Sequence, residues 1–150
     1  MKKLLLILVL TIPFIGFGQS WEKTFALSWN NHGSSVQQTI DGGYIILGYT
    51  YIQGSTTTNS HYDVYLIKTD VNGIEQWHQT FNDTTNGGNG SDHAYSVQQT
   101  TDGGYIITGR VQHSSGWGPS GYSDVFLIKT DVNGIEQWNQ TFGGTGSEDG

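Results

Sequence analysis

Short apolar runs separated by glycine turns predict eight β-strands in this 150-residue chain. The pattern occurs twice, in residues 35–81 and 96–142, which align without a gap at an offset of 61 (96 − 35). Both copies contain the turn signals Asp-Gly-Gly and Asp-Val-Asn-Gly, because glycine adopts the positive φ that short hairpins need. Each copy therefore predicts four antiparallel strands, and the regular spacing indicates a repeat architecture.

The predicted strands cover residues 35–39, 44–51, 63–69 and 74–81 in the first copy and 96–100, 105–111, 124–130 and 135–142 in the second. Segments such as 44–47 and 64–67 are apolar on both faces, whereas a sheet with one face in water would alternate. No helix is predicted to cover the sheets, so the copies must cover one another. We therefore expect an all-β fold of β-propeller blades, which are small four-stranded sheets stacked around an axis. The alternative is an open sandwich of the two copies, which would leave two apolar outer faces in water.

Residues 1–18 predict a secretory signal peptide. A basic Met-Lys-Lys start precedes an almost wholly apolar run, and Gly16 and Gly18 are small residues spaced for cleavage. A transmembrane anchor is the alternative, but the apolar run is short and contains Pro13. The sequence therefore predicts export to the periplasm, the cell surface or the medium.

A strand-like segment follows the signal peptide. Residues 21–25 read Trp-Glu-Lys-Thr-Phe and resemble the ends of the two copies, at 77–81 and 138–142. We interpret this segment as an orphan strand that lies beside the first copy and closes a ring by completing the last blade. Propellers need roughly four blades or more, so two sheets and one strand predict the N-terminal fragment of a larger propeller.

The two copies differ most where their second and third strands are joined. Residues 49–62 and 110–123 align without one identity. A constant scaffold with divergent loops places any function in the loops. The predicted divisions are a signal peptide at 1–18, the orphan closing strand and its loop at 19–34, a blade at 35–81, an inter-blade loop at 82–95, a second blade at 96–142 and the start of another inter-blade loop at 143–150.

Composition narrows the classes of function. The net charge is −7, and removal of two lysines with the signal peptide makes it −9 (−7 − 2). Four basic residues then remain: Lys23, Lys68, Arg110 and Lys129. No basic cluster is present to favour nucleic acid or an anionic membrane surface, and membrane insertion of the mature chain is not expected. The chain has no Cys, so packing alone must hold an exported protein together.

Candidate metal and catalytic residues are few. The sequence Asp-Val-Asn-Gly that begins at Asp70 resembles the opening of a calcium loop, but the later ligands of an EF-hand are absent and a hairpin turn is favoured. Acidic loops at 83–92 and 143–149 make calcium the one alternative to having no cofactor. His32 and His93 shortly precede first strands and are interpreted as loop residues. No catalytic triad, close carboxylate pair or phosphate loop is found, so no catalytic residue is predicted.

The tryptophans divide into two groups. Trp77 and Trp138 recur in register, so we predict that both are core residues, placed alike in their blades. Trp117 has no counterpart and lies on a glycine-containing loop, which makes it the one candidate ligand-binding residue, as a platform for a sugar. Capping of an exposed blade edge is the alternative for Trp117. Four charged residues recur at the ends of the third strands and suit structural ion pairs: Asp63, Lys68, Asp124 and Lys129.

The joint pattern resembles a known kind of repeat. Ser-Val-Gln-Gln-Thr-x-Asp-Gly-Gly-Tyr, then Leu-Ile-Lys-Thr-Asp-x-Asn-Gly with a later Trp, then Thr-Phe-Gly-Gly, is similar to repeats of large secreted or surface proteins of Gram-negative bacteria. Many of those carry a sorting domain for type IX secretion, and the resemblance implies β-propeller blades. The Phe-Gly-Gly step is present at Phe142 but absent after Phe81 and Phe25. A weaker resemblance, carried by Asp70 and Trp77 with a turn one residue too short, is to quinoprotein propellers, in which the Trp packs between blades.

Two functions are compatible with these observations. The first is a non-enzymatic secreted or surface scaffold that acts in adhesion by binding an extracellular glycan or protein. The second is the N-terminal part of a propeller hydrolase, lyase or quinoprotein whose active residues lie beyond residue 150. The divergent loops on a constant scaffold favour the first.

Overall fold

The computed structural model describes residues 22–54, 60–82, 90–112 and 123–143, which form two four-stranded antiparallel sheets. In each sheet the strand order follows the chain, as expected for strands joined by short turns. The all-β class and the two four-stranded sheets are confirmed. The first sheet contains β1 (Asn31–Gln38), β2 (Tyr44–Ile52), β3 (His61–Thr69) and β4 (Glu75–Phe81), and the second contains β5 (Ser91–Gln99), β6 (Tyr105–Gln112), β7 (Ser123–Thr130) and β8 (Glu136–Phe142).

The turns form where the sequence predicts them. Gly42 has a φ of 84° and Gly73 a φ of 73°, and their counterparts Gly103 and Gly134 have φ values of 85° and 78°. These are left-handed conformations that glycine adopts without a steric penalty. Gly43 is required for a different reason, since a Cβ there would lie 2.1 Å from the carbonyl oxygen of residue 69.

The first strand of each sheet is longer than predicted. β1 begins at Asn31 rather than residue 35, and β5 begins at Ser91 rather than residue 96. Each of these strands contains an irregularity, between Gly33 and Ser35 in β1 and between Ala94 and residue 96 in β5. A bulge inserts an extra residue and disrupts the period of two, so the sequence pattern did not extend across it. Residues that we expected in loops, including His32 and His93, therefore lie on strands.

The core lies between the two sheets, which pack face to face. We call the two facing surfaces the inner faces and the opposite surfaces the outer faces. Two buried apolar residues, Tyr65 and Ile67, are on the outer face of the first sheet. The other large ones are on the inner faces: Ile45, Leu47, Val64, Leu66 and Phe81 from the first sheet, and Val97, Tyr105, Ile107, Val111, Phe126 and Ile128 from the second. The predicted mutual covering of the copies is therefore present on one face of each sheet.

Equivalent residues lie on opposite sides of the stack, because the two sheets pack in the same orientation along it. Phe81 is on the inner face of the first sheet and is 8% exposed, whereas its equivalent Phe142 is on the outer face of the second sheet and is 50% exposed. The reverse holds for Val36, which is 65% exposed, and Val97, which is 4% exposed. In head-to-tail stacking of this kind, each end of the pair has an outer face that no other sheet covers, and the two outer faces carry different residues of the repeat.

The segment before β1 lies on the outer face of the first sheet. Phe25 lines the same cavity as Ile46, Tyr65 and Ile67 of that face. The Ser28 hydroxyl lies 3.0 Å from the Thr50 hydroxyl, which ties the segment to β2. Residues 22–30 lie against the first copy, but the strand predicted for residues 21–25 is wrong for residues 22–25, which form no strand because they lie over a face of the sheet and not along its edge.

Candidate functional site

The divergent sequence is gathered at one end of the sheets. All four hairpin turns lie at the opposite end, which we call the constant end because the two copies are nearly identical there. The connections from β2 to β3, from β4 to β5 and from β6 to β7 leave from the other end, which we call the variable end. The antiparallel order of each sheet produces this division, since alternate connections emerge on the same side.

A cluster of aromatic rings joins the two sheets at the variable end. We call it the aromatic cluster, and its members come from β1, β2, β3 and β5: His32, Tyr49, Tyr51, Tyr62 and His93. His32 stacks on Tyr49 with 4.7 Å between ring centroids. His93 of the second sheet contacts Tyr49 at 4.6 Å and Tyr62 at 5.6 Å. These separations are those of attractive aromatic pairs, so the cluster links the sheets.

His93 is held in its neutral form within this cluster. Its Nδ1 atom is buried and has no hydrogen-bond partner. Burial lowers the pKa of His93 below its ordinary value, and the charges of Arg110 and His32 lower the pKa further. A neutral imidazole can donate or accept a hydrogen bond through its remaining nitrogen, so the ring presents polar chemistry beside the tyrosines.

All members of the cluster except His93 come from the first sheet, and the second sheet does not carry the same tyrosine rings at the equivalent positions. The histidines of the cluster are equivalent to each other, but Tyr49 is replaced by Arg110 and Tyr62 by Ser123 one repeat later. Two repeats with the same strands therefore expose different chemistry at the variable end. Sequence comparison identified these positions as divergent, but it did not reveal that β1, β2, β3 and β5 bring the rings together.

An acidic group lies at the same end of the first sheet but on its outer face, because Asp63 pairs with Thr50 and alternates with the cluster residue Tyr62 along β3. His61 Nε2 is 3.2 Å from Asp63 Oδ1, and the Asn82 amide nitrogen is 3.2 Å from the same imidazole nitrogen. Burial raises the pKa of Asp63 above its ordinary value, because a buried carboxylate loses hydration. Asp92 and Asp124 are also buried near this end of their strands. The variable end therefore combines aromatic surfaces with partly dehydrated polar groups.

In the core the gap between the sheets is too small for an organic ligand, whereas a wider space of about 430 Å³ opens between the β1–β2 and β5–β6 turns at the constant end. A cavity of about 30 Å³ lies among Val64, Phe81, Asp92 and Phe126, and a space of this size accommodates no more than one or two water molecules. Recognition at the variable end would therefore use the exposed surface of the strands and their connections.

The lysines of the third strands have structural partners at the constant end, whereas Asp63 and Asp124 lie at the variable end. Lys68 Nζ is buried and lies 2.8 Å from Asp41 Oδ2, 2.8 Å from the Thr69 carbonyl oxygen and 3.1 Å from Gln76 Oε1. The hydrogen bonds from Lys68 and Thr39 lower the pKa of Asp41 to about 2. Lys129 repeats the arrangement with Asp102 at 2.9 Å. The predicted structural role of both lysines is confirmed, and their acidic partners are the turn aspartates.

The Asp-Val-Asn-Gly sequence is a hairpin turn, as favoured. The Asp70 carboxylate accepts hydrogen bonds from the backbone amides of Asn72 and Ile74, each at 2.8 Å, and Asp131 does the same in the second copy. Among the described residues, no group of three His, Asp or Glu side chains is arranged to hold a metal ion. Trp117 and most of the acidic loops proposed for calcium lie outside the described residues.

The two repeated tryptophans are not placed alike, which corrects our prediction for Trp138. Trp77 packs against the core and contacts Tyr105 of the second sheet at 5.8 Å. Trp138 lies on the outer face of the second sheet and is 48% exposed. The motif places a tryptophan at the same position in both copies, but the indole is buried only where another sheet packs on the face that carries it.

Comparison with known proteins adds no assignment: neither the models of protein families nor the curated proteins gave a match to this chain. In the part of the chain that the structure describes, no helix is long and apolar enough to cross a membrane.

Proposed function

We propose that this protein is a secreted or cell-surface β-propeller repeat protein whose variable end binds an extracellular glycan or protein without catalysis. The observation that carries the proposal is the aromatic cluster, because it lies where the two copies diverge and where their connections emerge. The identical turns and buried lysines at the constant end support a scaffold role for the remainder of each repeat.

The chemistry of the variable end suits glycans and protein surfaces. Tyrosine rings supply rigid apolar contact area together with a hydroxyl group, and tyrosine is enriched in protein-binding sites. The imidazole of His93 places a hydrogen-bonding group beside those rings. The acidic net charge of −7 makes nucleic acid an unfavourable partner.

The repeat itself provides the variants for a test. Tyr49→Arg and Tyr62→Ser replace two rings with the residues that the second copy carries at the same positions. Because both rings contact His93 of the second sheet, circular dichroism would establish that the double variant is folded. Binding of the intact protein to a glycan array and to a panel of extracellular proteins would be measured. We expect a specific partner whose binding the double variant abolishes, whereas Val71→Ser, at an exposed position of the constant end, leaves it unchanged. Clean negatives on both panels, or equal loss in both variants, would refute the proposal.

A further inference from the structure

The two free faces of the molecule are the two halves of the interface that already joins its sheets. The outer face of the second sheet carries the repeat equivalents of the residues that the first sheet packs against the second. These are Ile106, Val125, Leu127, Trp138 and Phe142, equivalent to Ile45, Val64, Leu66, Trp77 and Phe81. The outer face of the first sheet matches the opposite half: Val36, Tyr44, Ile46, Tyr65 and Ile67 are equivalent to Val97, Tyr105, Ile107, Phe126 and Ile128. Leu47 and Val111 of the existing interface are exceptions, because their equivalents are Thr108 and Thr50. One chain therefore carries most of both halves, although Tyr65 and Ile67 are buried beside Phe25.

We infer that the outer face of the second sheet is a docking surface for the outer face of the first sheet in a second copy of this chain. Every apolar pair given above is identical or, for Tyr65 and Phe126, closely similar. The contact would extend the existing stack head to tail, so it is heterologous rather than two-fold symmetric. The inference rests on the blade stacking assumed in the proposed function, but it does not depend on any ligand at the variable end.

Polar contacts between edge strands would fix the register of this docking. Within the chain, Gln37 Oε1 accepts a hydrogen bond from the Gln99 backbone amide at 2.8 Å, and Gln99 Oε1 accepts one from the Ile40 amide at 2.9 Å. Gln38 is equivalent to Gln99 and already has the same conformation, since each donates to a turn carbonyl oxygen at 3.3 Å. Gln98 in turn is exposed on β5. A second copy would therefore form the same reciprocal pair between its Gln38 and this Gln98.

We call the outer face of the first sheet the acceptor face and the outer face of the second sheet the donor face. The segment that contains Phe25 covers part of the acceptor face. Phe81 lies beside Phe126 and Ile128 in the existing interface, and Phe25 lies beside the equivalent residues Tyr65 and Ile67. Phe142 of a second copy would need the position that Phe25 occupies. Docking therefore requires residues 22–25 to move aside, and these residues are not part of a strand. The segment acts as a cover that competes with the second copy.

Sedimentation velocity of the mature chain over a wide concentration range would test this. We expect concentration-dependent assembly, which Phe142→Asp weakens by about tenfold or more because a carboxylate would enter an apolar contact. Val36→Asp should weaken assembly equally from the acceptor side. The control Val71→Asp adds the same charge at an exposed constant-end position and should leave assembly unchanged. Phe25→Ser should strengthen assembly.

Mixing the two defective variants gives the decisive result. Phe142→Asp retains a sound acceptor face and Val36→Asp a sound donor face, so the mixture should form a one-to-one complex and nothing larger. A wild-type chain that stays monomeric throughout, a mixture that does not associate, or equal loss with Val71→Asp would overturn the inference. Circular dichroism would establish that each variant is folded, and glycan or protein binding would be scored separately, so failure of the proposed function would be recognised independently.

Discussion

Trp77 of the first repeat lies against Gly134 of the second, so close that a Cβ atom on Gly134 would be 2.6 Å from Cζ3 of the indole. The tryptophan of one copy and the turn glycine of the next are thus parts of one contact. Two requirements meet at Gly134, because its φ of 78° also favours glycine. Substitutions that violate either requirement should lower the free energy of unfolding measurably.

Gly134→Ala is expected to destabilise the protein more than Gly42→Ala. Both positions have positive φ, but Gly42 has open space where a Cβ would be. The Gly42 substitution should therefore cost only the conformational penalty of about 1–2 kcal/mol, whereas the Gly134 substitution should add about 1–3 kcal/mol of overpacking against Trp77. Urea unfolding of both variants measures the difference. Equal losses of stability in the two variants would show that the Trp77 indole moves aside at no cost in free energy.

Trp77→Ala should cost more stability than Trp138→Ala, although the two residues occupy the same position of the repeat. Truncating a packed tryptophan costs about 3–5 kcal/mol, and Trp77 is the one packed against the core. Trp138 is 48% exposed, so its loss should cost about 1–2 kcal/mol less than the loss of Trp77. The comparison should be made at concentrations where the chain is monomeric. A larger loss for Trp138 would contradict the inter-sheet role of Trp77.

Acid should weaken the constant end through Asp41. Its pKa is lowered from 3.8 to about 2 in the folded protein, so the stabilisation is fully present above the unfolded pKa and is lost as pH falls toward the folded one. Asp41→Asn should remove part of the loss of melting temperature between about pH 5 and about pH 2. At neutral pH its cost should be about 1–2 kcal/mol, limited because the Asp41 side chain is 54% exposed. An unchanged acid profile would show that the pair with Lys68 is not responsible.

A second acid transition is expected at the variable end, at higher pH. The pKa of His93 is lowered from 6.5 by burial and by neighbouring charge. Its contribution is complete above the unfolded pKa and decreases as pH falls through 6.5 toward the folded value, because only the unfolded chain then gains the proton easily. His93→Gln should flatten the melting temperature between about pH 7 and about pH 5, and His32→Gln, which leaves His93 in place, should retain most of the slope. A wild-type profile that is flat over this interval would refute the role of His93.

The sequence predicted the features that depend on local chemistry. Turns at Gly42 and Gly73 were identifiable because a positive φ has a strong residue preference, and the apolar second and third strands predicted that the copies pack on one another, which the structure shows for one face of each sheet. The strand order followed from the short turns. These features occur in both copies, so each prediction made for the first copy also applied to the second.

Other features depend on contacts between distant residues. The part of β1 that precedes residue 35 was missed because a bulge shifts the alternation of the strand, and the residues involved are small or polar. The aromatic cluster was missed because its rings come from four strands that the sequence could not position. The burial of Trp138 was mispredicted because identical motifs were assumed to have identical neighbours, whereas burial depends on the sheet that lies opposite.

The hydrogen bonds that the side chains of Gln37 and Gln99 accept from the backbone amides of Gln99 and Ile40 have a consequence for the edges of the sheets. They join β1 and β5, the edge strands of the two sheets, and unpaired edges tend to recruit another strand. The glutamine amides satisfy backbone N–H groups of Ile40 and Gln99 that would otherwise be available to a foreign backbone. At these two positions the edges of the sheets are therefore closed by side chains, and a foreign strand would first have to displace a glutamine.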